Sequence, residues 1–152
     1  MERIVVATDG SHGARAAVIE GVELARATGA AVTFVYVRHG IPLLGKPFYQ
    51  RKLSEQLRHA RAALEEAMEV ADLHGVEADQ EIAEGDALEQ IIRTAVYRDA
   101  DLIVVGSRGL GAVAGALLGS VSRSLTEIAP MPVLVAREQA IVPADREPAT
   151  RV

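Results

Sequence analysis

Residues 106–120, GSRGLGAVAGALLGS, carry five glycines and a single charged side chain, and they leave directly from the apolar run ADLIVVG. Glycine loses the most backbone freedom on folding, so so many of them mark either a linker or a backbone surface shaped around a ligand. A glycine loop that exposes its N–H groups and leads into a helix N-terminus suits a phosphate. A second stretch of the same kind, TDGSHG at 8–13, follows the apolar run RIVVAT. Its Asp9 has two readings: a ligand-facing carboxylate, or an Asx turn or cap with Gly10. Ser120 is open to two roles at once, helix cap and phosphate contact. His12 reads as a solvated residue at a helix start, and His39, His59 and His74 show no metal-ligand spacing.

Two general phosphate motifs come close without matching. GIPLLGKP, residues 40–47, satisfies seven positions of G-x-x-x-x-G-K-[ST], but Pro47 stands where magnesium needs a hydroxyl. The segment also leads toward a proline, which argues against the helix a P-loop requires. GLGAVA at 109–114 fits the dinucleotide pattern G-x-G-x-x-G/A. It begins three residues beyond the last strand residue, Gly106, and only one more strand follows it. This context argues against a two-half dinucleotide fold.

The elements that must position these residues follow from periodicity. Short, continuous, β-branched runs at 3–8, 31–37, 101–106 and 132–136 read as strands covered on both faces. The more polar EADQEIA, 77–83, reads as an edge strand. Between them lie helical patterns at 11–28, 51–74, 86–98 and about 119–128. Asp86 and Glu89 form a capping-box pattern at the third. Strands alternating with helices imply right-handed crossovers and a doubly wound parallel α/β sheet with helices on both faces. Ligands in such sheets lie outside the carboxyl ends of the strands, where the strand order reverses. Residues 38–50 read as a long loop. One domain is expected over 1–138, with a mobile tail over 139–152.

Composition narrows the function classes. The chain has 152 residues, a net charge of −5 and no cysteine, which excludes disulfides, thiolate metal sites and cysteine nucleophiles. No basic patch, no Trp and only two Phe argue against nucleic-acid partners. No run approaches the length of a membrane span, and no signal-peptide core is present, so a cytoplasmic location is expected.

Gly106, Gly109, Gly119 and Ser120 spell G-x2-G-x9-G-S. With VVATDGS, EGDALEQII, DADLIVVGSRG, LLGSVSRSL and APMPVLV in that order, residues 2–137 resemble the universal stress protein family. The resemblance implies a strand order of 3-2-1-4-5 and an ATP site. It places Ala7, Thr8 and Asp9 on the adenine and ribose side and the Val37 backbone against the adenine. Val105 and Gly106 would flank the ribose. Gly109, Gly119, Ser120, Val121 and Ser122 would hold the phosphates, with Arg108 within reach of them. Asp9 could meet a magnesium ion brought by the triphosphate. A homodimer through the last strand, 132–138, is also implied. No second acid, Walker lysine or arginine finger for hydrolysis is assignable. The expected function is therefore an ATP-binding stress or regulatory protein with slow or no hydrolysis. A nucleotide-free dimeric interaction module and a genuine ATPase are the alternatives.

Overall fold

The computed structural model describes residues 1–107 and 119–138. Arg108, Gly109, the rest of the glycine-rich stretch to Leu118 and the expected tail 139–152 lie outside them. The chain order is β1 (Arg3–Ala7), α1 (His12–Thr28), β2 (Ala31–Arg38), α2 (Lys46–Leu73), β3 (Ala78–Glu84), α3 (Ala87–Tyr97), β4 (Leu102–Gly106), α4 (Ser120–Ile128) and β5 (Val133–Ala136). All four strand pairings are parallel, in the order β3-β2-β1-β4-β5. The strand order reverses between β1 and β4, as expected.

Alternation along the strands divides the core into two layers. Ile4, Val6, Val32, Phe34, Tyr36, Leu102 and Val104 face α1 and α2, where they meet Ala17, Val22, Ala60, Leu64 and Ala67. Val5, Val35, Ile103 and Val105 point the other way, onto Ile91, Ala95 and Leu125 of α3 and α4. Apart from Arg3, Thr33 and Arg38, the three central strands are thus apolar on both faces, which is why their sequences show no alternation. β3 has a polar, half-open pattern and lies at an edge.

One expectation about the elements is corrected. α2 begins at Lys46 rather than Arg51, so the β2–α2 loop is shorter than read, and GKP does lead into a helix. Proline in a first helical turn removes a donor that has no intrahelical partner there, so Pro47 starts the helix and does not prevent it. The missing hydroxyl at that position still separates the segment from a P-loop. Among the described residues, no helix is long and apolar enough to cross a membrane.

Candidate functional site

The first wall of the crevice is the loop after β1. Thr8 is buried, and its N–H donates to Val35 O at 2.9 Å, the last bond of the β1–β2 ladder. The chain then turns sharply. The Asp9 Oδ1 accepts the Ser11 N–H at 2.9 Å, and Ser11 Oγ caps α1 by accepting the Ala14 N–H at 3.2 Å. Asp9 therefore makes the Asx-type bond while remaining only partly buried at the crevice. Gly10 adopts φ +80°, and a Cβ there would press on Ala63 of α2 at 3.3 Å, so the turn needs glycine twice over.

β2 outlasts β1, and this shapes the second wall. The Val35 carbonyl faces β1 and the Arg38 carbonyl, which accepts the Gly85 N–H, faces β3. Odd positions of β2 therefore turn their peptide groups toward β1. The β1–β2 register ends at Ala7↔Val35. A longer ladder would bring the Gly10 N–H to the Val37 carbonyl, but Gly10 donates to Thr8 Oγ1 at 3.3 Å. Among the described residues, the peptide edge of Val37 thus faces the side of β2 that lies past the end of the β1 ladder. Its side chain packs on the α3/α4 layer, as does that of Ala7.

The third wall joins β4 to α4. The Ser107 carbonyl accepts the Gly119 N–H at 2.6 Å and the Ser122 hydroxyl at 3.2 Å, while the Ser107 N–H donates to Ala136 O at 2.8 Å. These bonds bring the start of α4 back to the strand that precedes it. Gly119 is the N-cap and offers no side chain. The first helical bond runs from the Arg123 N–H to Gly119 O, so the N–H groups of Ser120, Val121 and Ser122 have no helical acceptor. Ser11 and Asp86 fill this role at α1 and α3, and at α2 the proline removes one donor. Three N–H groups without a helical acceptor and the positive end of the helix dipole thus lie together at the start of α4, an arrangement that suits an anion.

The site residues expected from the sequence divide accordingly. Ala7, Thr8 and Asp9 lie at and just past the end of β1, Val37 lies next to the end of β2, and Gly119, Ser120 and Val121 lie at the start of α4. Val105 is buried, with its side chain in the α3/α4 layer. Ser122 is also buried, with its hydroxyl within donating distance of the carbonyls of Ser107 and Gly119, 3.2 Å from each. Gly106 is glycine for packing, since a Cβ there would run into the Gly13 backbone and lie 3.0 Å from Ala14 N. Arg108 and Gly109 lie outside the described residues. Gly13 and Ser107 were missed by sequence reasoning. Ser107 gave a faint signal, being the first residue past a buried strand, whereas Gly13 gave none.

The Tyr36 and His59 rings meet edge-on, with centroids 6.0 Å apart and planes at 71°. Burial, and then the charge of Asp9, push the Tyr36 hydroxyl above its ordinary pKa. Among the described residues no group of three or more His, Asp or Glu could hold a metal ion.

The sequence pattern of the universal stress protein family matches residues 1–137. The chain belongs to this family. Within it, a universal stress protein of Thermus aquaticus is 39% identical over 136 residues, covering 88% of this chain and 97% of that one. Universal stress protein UspA from Lactobacillus plantarum superposes with a TM-score of 0.80 at 29% identity, covering 90% of this chain and 97% of that chain. The universal stress protein from Archaeoglobus fulgidus, solved in complex with dAMP, gives a TM-score of 0.71 at 26% identity, over 90% of this chain and 98% of that chain. This universal stress protein thus shares its fold with relatives of known structure over about nine-tenths of its length.

Proposed function

We propose that this protein is an ATP-binding regulatory module of the universal stress type, a cytoplasmic homodimer with slow or no hydrolysis. One observation carries the reading: the uncapped first turn of α4, tied by Gly119 and Ser122 to the end of β4 at the reversal of the sheet. That arrangement supports a polyphosphate held by the N–H groups of Ser120 and Val121 beside Gly119; Gly109 and Arg108 join the proposed site on the sequence pattern alone. The open peptide edge of Val37 supports an adenine there, as a donor and acceptor pair in the plane of the sheet. Ala7, Thr8 and Asp9 then border the ribose. Asp9 is the acid that a magnesium ion carried by the triphosphate would meet. The dAMP complex of the Archaeoglobus relative supports an adenine nucleotide as the ligand class.

Hydrolysis needs a positioned water and a group to activate it or stabilise its charge. Those roles have no assigned residue here, so the site holds nucleotide and releases it. Thermal melts with and without millimolar MgATP test the binding. At ligand 100-fold above its dissociation constant, linkage stabilises the fold by about 2.7 kcal/mol. An unchanged melt would remove the nucleotide reading. Single-turnover assays should show negligible ADP formation; fast turnover would make the protein an ATPase.

A further inference from the structure

We propose that His59 of α2 forms one face of the base compartment, with its imidazole lying against the nucleobase. The inference deepens the nucleotide reading and rests on it. A base that pairs with the peptide edge of Val37 occupies the place the next β1 residue would have taken, opposite Val37 and beside Gly10. It therefore lies close to the plane of the sheet, with one face toward α2. His59 is an exposed ring on that side, next to the buried Tyr36. Its Nε2 comes within 3.8 Å of the point where a Cβ on Gly10 would sit. Its ring stands edge-on to Tyr36, the β2 residue just before Val37. Tyr36 is 9% exposed and fixed in the α1/α2 layer, so it buttresses the imidazole. His59 itself is exposed, with ring surface left open to a ligand. Gly10 leaves room beside it, where a Cβ would press on Ala63 at 3.3 Å and touch His59 at 3.8 Å. An imidazole stacked on a purine is favourable whether neutral or charged, through dispersion in one case and cation–π attraction in the other.

The experiment is ATP titration of the whole protein as wild type, His59→Ala and His59→Phe, with the histidine ring resonances followed by NMR in the wild type. Removing one base–aromatic stack costs about 1–3 kcal/mol, so His59→Ala should bind ATP at least about fivefold more weakly. His59→Phe, which keeps an aromatic face, should stay within about twofold of wild type. The His59 ring signals should move upfield and saturate at the same ATP concentration as binding. His59 is on the surface, and melts of the three proteins without ligand should coincide. Wild-type affinity in His59→Ala, an equal loss in His59→Phe, or ring signals unmoved at ATP saturation would each overturn the assignment. A wild-type protein that binds no ATP would overturn the nucleotide reading itself, and this inference with it.

Discussion

Gly106 and Gly119 bracket the loop of the proposed phosphate site, and they are glycine for different reasons. At Gly106 a Cβ would fall on the Gly13 backbone, where the end of β4 meets the start of α1. Backbone cannot step aside cheaply, so Gly106→Ala should destabilise the fold by about 1–3 kcal/mol in urea unfolding. Gly119 sits at φ −69°, ψ 161°, which any residue adopts. Gly119→Val should therefore leave stability nearly unchanged and lower ATP affinity by crowding the anion, as titration and circular dichroism together would show. Full affinity in this variant would put the phosphates elsewhere. Asp101 carries a separate prediction. Its carboxylate accepts the N–H groups of Glu2 at 2.7 Å and Arg3 at 3.0 Å, which hold its pKa below the ordinary carboxylate value. A lowered folded pKa gives stability that is present at neutral pH and lost as pH falls through that value. Asp101→Asn should therefore lower the melting temperature near pH 7 and flatten its fall below about pH 4. A variant whose acid limb matches that of the wild type would refute this.

At the scale of elements, the connection that matters is the clamp between β4 and α4. Ser122 is buried, and its hydroxyl ties the helix start to the Ser107 carbonyl. Ser122→Ala should cost about 1 kcal/mol, the usual net value of one hydrogen bond, and weaken ATP binding by loosening the donor turn. If stability falls while affinity holds, the turn is set by Gly119 alone. Most of these elements were readable in the sequence because burial on both sheet faces leaves long β-branched runs, and because Asp86 caps α3 from a recognisable position. The start of α2 was not. Its first turns are largely exposed, so the apolar period begins only near Leu53, and Pro47 looks like a stop when it is a start. The site was legible to the same extent. Glycine and serine spacing pointed to the α4 end, but spacing does not reveal close approach. The Gly106–Gly13 contact and the Tyr36–His59 pair join residues distant in sequence, and only the crossing of helix over strand brings them together.

For the whole molecule the open question of assembly falls on β5. It pairs with β4 on one side, and the sheet order leaves its other side at an edge. Ile103 N–H donates to Pro132 O and Ser107 N–H donates to Ala136 O, so even positions of β5 face β4. The peptide groups of Val133 and Val135 consequently point outward, off the edge. An apolar edge with free donors and acceptors invites pairing. A second copy related by a two-fold axis could pair antiparallel with it and satisfy both edges at once. Leu134, 37% exposed, would gain cover in the same contact. The parity makes the test specific. Val135→Pro removes an outward N–H without breaking a bond to β4, so it should disrupt an edge pairing while sparing the sheet. Sedimentation at tens of micromolar should find a dimer for the wild type and mostly monomer for Val135→Pro, with melts showing that the variant remains folded. Leu134→Pro is the contrasting substitution, because it removes a donor to β4 and should lower stability directly. A wild-type monomer, or a Val135→Pro protein that dimerises unchanged, would place the partner surface somewhere other than β5.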